Sequence, residues 1–563
     1  MSMDLYSISR RLARPYVFLG DERDPLLPID ARAIIGDGHT SALVRVDGVI
    51  DWACFPRFDS PSVFGGLLDH EKGGSTGISP IARPFESVQR YDPDTNVVET
   101  LFRIDGQGVI RLLDFMPWSN DPMAGIHEIH RRVQCVEGDV ELVATFDPRF
   151  DYGRAKTEIL LEPNGVLARS DGGESMVAVL DKGAQWKMRD EGGVEARFRL
   201  KAGERRWMVL SWDAPGPEPI QAYRPFDHLR TTRQCWRDWV RGLHYEGPWR
   251  HHVVRSALLL KMLIYAPTGA MVAAPTTSLP EWLGGQRNWD YRFTWTRDAA
   301  MAIRACNVIG YSHEARDFFH FMRRALDRNG ELQVMYGVDA ESVPEEMILG
   351  NLGGYGGFGP VRVGNGARDQ LQLDTVGALV DATYLFERFG SALPLRTWRR
   401  IRNVVEGLST SWTAPDDGIW EPRQARRHNV HSKLMCWLAF DRASRLAPRF
   451  GDEEVGRTWH RSAELVSNDI LQHGLHESGK HFVAAYGADY VDGSLLVMPL
   501  HGFLEPDHPL VVGTIDRVRE ELGHGPFLHR YKVHDGVGGE EGAFVLCGFW
   551  LAEALAMLGR IEE

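Results

Sequence analysis

Residues 41–55 read SALVRVDGVIDWACF. Asp47-Gly48 stands between two apolar runs, and this is a strong hairpin signal, because Gly supplies the positive φ that a tight turn requires. The pattern returns in 97–115, VVETLFRIDGQGVIRLLDF, around Asp105-Gly106. In 127–146, HEIHRRVQCVEGDVELVATF, alternating residues flank Glu137-Gly138-Asp139, which reads as a third turn. ARFRLKAGERRWMVLSW (196–212) continues the series. Several strands at this spacing argue for an antiparallel β-sandwich over 1–215.

Outward from that region the texture changes. Pro215, Pro217 and Pro219 mark a boundary. Residues 226–243, FDHLRTTRQCWRDWVRGL, place Trp236, Trp239 and Leu243 on one side of a helix and charges on the other, so 216–247 reads as a linker helix region. From 248 to 563 helix-length segments recur, among them 372–390, 431–447 and 541–559, with room for about twelve helices of ordinary length. Some are apolar nearly all round and must be covered on every side. Two concentric helical layers satisfy that demand. The expected fold class is multidomain β + α, an N-terminal antiparallel β-sandwich followed by an (α/α)6 barrel, or toroid.

Composition excludes several functions. Of the 563 residues, 64 are Lys or Arg and 77 are Asp or Glu, a net charge of −13. Such a chain has no electrostatic footprint for nucleic acid and no polybasic patch for anionic lipid. The 17 Trp offer flat faces that suit sugar rings, although for most of them a core role is the better reading. Six scattered cysteines without a C-x-x-C pair argue against disulfides and against zinc. The first residues hold no long apolar run, and the best membrane candidate, 256–275, is broken by Lys261 and Pro267. The expectation is a soluble cytoplasmic protein; a homo-oligomer stays open.

Four loops of the helical half hold chemistry. Arg287–Asp298, RNWDYRFTWTRD, packs three Arg, two Asp and four aromatics into twelve residues. Arg and Asp grip adjacent sugar hydroxyls and aromatic rings cover the apolar sugar face; the competing reading is an internal Arg–Asp network. Asn351–Asn365, NLGGYGGFGPVRVGN, lacks the phosphate-loop pattern. There Arg362 and Asn365 could reach a ligand, and a tight structural loop is as good a reading for most of the stretch. Asp416–Arg423, DDGIWEPR, puts Glu421 after Trp420. A carboxyl group against an aromatic wall stays protonated near neutrality, as a general acid must. Asp535–Phe544, DGVGGEEGAF, places Glu540 and Glu541 ahead of an apolar helix whose N-terminus favours an ionised carboxylate, or for which the acids are only caps. Two carboxyl groups pushed to opposite states are what glycoside hydrolysis needs.

These motifs resemble glycoside hydrolase family 15, the glucoamylase and trehalase family. The resemblance runs from IGDGHTSALVRVDGVIDWACFPRFDSPSVFGGLL (35–68) through APTTSLPEWLGGQRNWDYRFTWTRDAA (274–300), LQVMYG, GPVRVGN, QLQLD, DGIWEPR and HSKLMCWLAFDRA to EEGAF. It implies inverting, exo-acting hydrolysis of α-glucosides with release of β-glucose. It implies Glu421 as general acid and Glu541, rather than Glu540, as general base. The two carboxyl groups are then roughly 6.5–9.5 Å apart. Arg297 and Asp298 would hold the terminal glucose, Trp289, Asp290 and Trp295 would line its pocket, and Trp420 and Arg423 would flank the acid. Asp51, Trp52 and Arg57 are weaker candidates. The resemblance calls for no metal and no organic cofactor.

Thr375-Val376 and the loop GGYGGFG depart from the family pattern and bear on the aglycone. The expected substrate is a small α-glucoside, trehalose first, with α-1,4 or α-1,6 gluco-oligosaccharides as the glucoamylase or glucodextranase alternative. A disaccharide phosphorylase and a silent sugar-binding protein are the remaining readings.

Overall fold

A computed structural model describes residues 17–20, 26–389, 391–539 and 541–563. Chain contacts separate two compact units. One holds the described residues up to Leu279 with Asn288–Phe293 and Met347–Val363. The other holds Pro280–Arg287, Thr294–Glu346 and Gly364–Glu563.

The first unit is antiparallel β. Ser41–Arg45 and Val49–Cys54 pair across Asp47-Gly48, as the sequence requires. Val98–Ile104 and Gly108–Phe115 pair across Asp105-Gly106. The third expected turn is absent: Glu128–Asp147 is one strand of 20 residues. A bulge at Cys135/Glu137 bends it. Its first half pairs with Gly108–Phe115 and Arg205–Trp212, its second with Ser75–Pro80 and Val194–Lys201. One strand therefore belongs to both sheets of the sandwich. Gly138 serves close backbone approach rather than chain reversal: a Cβ there would stand 1.8 Å from the Gln107 carbonyl oxygen.

Helices α1 (Pro225–Val240) and α2 (Arg250–Met262) belong to this unit. Trp236 and Val240 of α1 bury with Val254, Leu258 and Met262 of α2 and with Trp118. The expected linker helix thus carries part of a core.

The second unit holds α3 (Thr296–Val308), α4 (Ser312–Asn329), α5 (Asp374–Arg388), α6 (Leu395–Ser411), α7 (Val430–Leu446), α8 (Glu453–His473), α9 (Val497–His501), α10 (Pro509–Leu522) and α11 (Val545–Met557). Counting α2, ten α-helices lie beyond residue 248 among the described residues, against the twelve expected. α3, α5 and α7 are successive neighbours; α4 packs on α3, and α6 and α8 on α7. α5 and α7 are buried on nearly every side, while α6 and α8 bury only one stripe. This is the two-layered arrangement that apolar-all-round helices demand. α11 departs from it: Val545 is 56% and Phe549 68% exposed, because α11 packs on α9, α10 and the strand Phe527–Leu528 along one side only. Five of the six unpaired cysteines are buried and Cys235 is half-buried. No helix among the described residues is long and apolar enough to cross a membrane.

Gly48 gives the hairpin a direct test. Its φ is +84°, and a Cβ there would come 2.2 Å from the Ile78 carbonyl oxygen. Gly48→Ala should cost roughly 1–3 kcal/mol. Denaturant titration checks this, and an unchanged midpoint would refute it.

Candidate active site

In the second unit the strand Thr294–Trp295 pairs with Met335–Tyr336 and runs straight into α3. Arg297 and Asp298 therefore lie in the first turn of α3. Asp374 opens α5. The starts of both helices meet the loop that carries Glu421.

Arg297 is the hub. Its Nη1 donates to Gln372 Oε1 at 2.9 Å and lies 3.5 Å from Asp374. Its Nη2 lies 3.3 Å from Asp298 and 3.4 Å from Glu421 Oε1. Burial works against this charge, but Asp298, Asp374 and Glu421 outweigh it and hold the pKa above the ordinary arginine range. Asp374 is fully buried; burial raises its pKa, and Arg297 opposes the rise.

Three N–H groups converge on one oxygen of Glu421. Trp295 Nε1 donates to Oε1 at 2.9 Å, Gln372 Nε2 at 3.2 Å and Arg297 Nη2 at 3.4 Å. Oε1 is thus fixed in place as an acceptor, which orients the whole carboxyl group. Glu421 has φ +58°, a left-handed backbone that costs a non-glycine residue roughly 1–3 kcal/mol and persists where surroundings impose it. The aromatic partner of Glu421 is Trp295, not the neighbouring Trp420. Trp420 instead meets Phe544 at 5.7 Å and Trp550 at 6.3 Å between ring centroids. It also walls a cavity of about 330 Å³ with Tyr490, Tyr531, His431, Asp416 and Asp492.

The acid loop is clamped from behind. Asp416 accepts from Leu373 N at 3.1 Å and from Asn429 Nδ2 at 3.0 Å. Burial pushes its pKa up to about 6, with Asn429 opposing and Asp374 adding to the rise. Burial likewise lifts Asp492 to about 6, against hydrogen bonds from Ser494. His431 is buried and, with Arg297 nearby, pushed down to about 3, so it is neutral.

Glu541 is reached differently from the expected helix-end effect. α11 begins four residues later, at Val545. Arg530 Nε contacts Glu541 Oε1 directly, and Arg530 Nη2 lies 3.1 Å from Glu281. Glu540 lies outside the described residues. Arg423 pairs with Glu346 at 3.1 Å.

The remaining expected residues lie in the first unit. Asp290 is fully buried and gives both oxygens to Arg292, at 2.9 and 2.7 Å, which is the internal Arg–Asp network. Trp289 carries the Arg362 guanidinium 4.6 Å from its ring centroid. Asp51 is buried against Arg32 at 2.7 Å. Trp52 is buried and donates to the Pro275 carbonyl at 2.8 Å. Arg57 pairs with Asp59 at 2.8 Å. Gln372, Asp374, Arg530 and Glu281 were missed as site residues by the sequence reading. The polar alternation of Gln370, Gln372 and Asp374 ahead of α5 was the one available local signal.

An acid cage and a second carboxylate held by a cation fit sugar-bond hydrolysis, and comparisons with known proteins agree. The family model for Glycosyl hydrolases family 15 matches residues 247–562, and that for the Trehalase-like, N-terminal domain matches 17–211. The chain belongs to Glycosyl hydrolases family 15 and is a glycoside hydrolase. A trehalase of Mycobacterium tuberculosis is 38% identical over 96% of this chain and 83% of its own length. A trehalase of Thermoplasma volcanium is 34% identical over 95% and 85%. A bacterial glucoamylase complexed with acarbose superposes with TM-score 0.69 at 11% identity, over 97% of this chain and 90% of that one. That likeness shows the fold, a β-sandwich followed by an (α/α)6 barrel.

The raised pKa of Asp492 makes a stability test. The folded state holds this proton more tightly than the unfolded chain does. Its contribution is complete below about pH 4 and is lost as pH rises through about 6. Asp492→Asn should therefore gain on wild type between pH 4.5 and 7.5, by on the order of 2 kcal/mol. Parallel melting curves check the sign; a constant difference would refute it.

Proposed function

We propose that this enzyme hydrolyses α,α-trehalose to two molecules of glucose by single displacement. The convergence of Trp295, Gln372 and Arg297 on Glu421 Oε1 carries the reading, because it fixes one carboxyl group beside the Arg297–Asp298 pair that would grip the sugar. Relatives named trehalase, alike along nearly the whole chain, support the substrate.

In this mechanism Arg297 and Asp298 hold the terminal glucose by its hydroxyls. Glu421 passes its proton to the glycosidic oxygen as the C1–O bond breaks. Glu541 takes a proton from the water that attacks C1 from the opposite face. One glucose leaves as the α anomer and the attacked half as the β anomer. Trp420 and Arg423 act beside the acid. Asp290, Asp51 and Trp52 are assigned to the scaffold, because their polar groups are already engaged inside it. Trp289, Arg362 and Arg57 stay candidates for binding sugar. The division into 1–215, 216–247 and 248–563 is the domain organisation we propose, and the six unpaired thiols support a cytoplasmic setting. Gluco-oligosaccharides are the second substrate class, favoured by the glucoamylase fold likeness.

Glu421→Gln and Glu541→Gln should each fold and lose roughly 10²–10⁴ in kcat on trehalose. Glucose release from trehalose, maltotriose and isomaltose, followed side by side, checks both claims. Near-normal turnover in either variant would remove that residue from its role, and cleavage of maltotriose alone would move the substrate to the second class.

A further inference from the structure

Glu541 sits in a glycine-rich loop. Gly536 and Gly539 take φ of +92° and +99°, and Gly542 follows directly. Such a backbone does little to fix a side chain. The start of α11 is four residues away, so the helix end does not hold it either. What meets Glu541 is Arg530, and Arg530 also holds Glu281. The three side chains are 15%, 13% and 22% exposed.

We propose that Arg530 is the positioning residue of the general base, and that Glu281 regulates how much of its charge the base feels. This rests on Glu541 being the base. The planar guanidinium offers Nε to Glu541 and Nη2 to Glu281, so one rigid fork fixes two carboxylates relative to each other. Its walls are aromatic: the guanidinium carbon lies 5.6 Å from the ring centroid of Trp420, 5.6 Å from that of Tyr531 and 5.4 Å from that of Phe544. These rings exclude water, which strengthens the ion pair.

Among the described residues, the other titratable groups facing Glu541 are Tyr531, from the preceding loop, and Cys547, from α11. Burial pushes both up, Cys547 to about 12, so neither is charged in the working range. Asp535 beyond Tyr531 is neutralised by Arg287 at 2.8 Å. The field at Glu541 is therefore set by Arg530 and opposed by Glu281. The consequence is a base aimed by the cation it meets.

The test is the pH profile of kcat/KM on trehalose for the full chain and for Arg530→Gln, Arg530→Lys, Glu281→Gln and Glu541→Gln, each with a melting curve. Arg530→Gln should lower kcat roughly tenfold to a hundredfold with KM changed less than about threefold. Its acid limb should move up by about one pH unit, and Arg530→Lys should restore most of both. Glu281→Gln should move the acid limb the other way, since it leaves the whole cationic charge facing Glu541. Should Arg530→Gln fail to fold, Arg530→Lys and Glu281→Gln carry the test alone. An unmoved acid limb, or a loss confined to KM, would overturn the proposal. Sustained turnover by Glu541→Gln would instead overturn the assignment of the base itself.

Discussion

One buried cation organises the catalytic unit. Arg297 stands in the first turn of α3, where the helix dipole disfavours positive charge. It is held there by three carboxyl groups, those of Asp298, Asp374 and Glu421, and by the amide of Gln372. Removing Arg297 itself would leave the buried Asp374 without its cation, and that is costly. This single constraint brings the start of α3, the start of α5 and the loop of Glu421 to a common point. The strained backbone of Glu421 is the local cost of meeting it.

The same demand spreads outward. Asp374 can stay buried because Arg297 faces it. Asp416, behind the acid loop, ties Leu373 to Asn429 and so links the entries of α5 and α7. Glu541 is served by a separate cation, Arg530, and its loop needs no help from α11. Two carboxyl groups thus meet different cations: Glu421 shares Arg297 with Asp298 and Asp374, and Glu541 shares Arg530 with Glu281. Hydrolysis by a proton donor and a proton acceptor needs two carboxyl groups in separate surroundings.

Much of this was legible in the sequence, and the failures have physical causes. The turns at Gly48 and Gly106 follow from Asp-Gly between alternating strands. Gly138 carries the same local signature but serves a close approach inside one long strand, and only its distant neighbour Gln107 reveals that. Whether Trp420 faces Glu421 stayed open in the sequence, because adjacency says nothing about where a residue at φ +58° aims its side chain; the ring that meets it is Trp295. The helix-end reading of Glu541 failed because α11 starts later than the apolar run suggests. Gln372, Asp374, Glu281 and Arg530 act through contacts across many residues of sequence, and such pairings leave no periodic trace.

The central claim is that one carboxyl group gives a proton while another draws one from water on the opposite face. Proton NMR of fresh enzyme with trehalose, read before mutarotation, tests it most directly. The account requires α- and β-glucose in equal amounts at the earliest times. Glucose appearing only as the α anomer would mean retention at the attacked carbon and would contradict the pair.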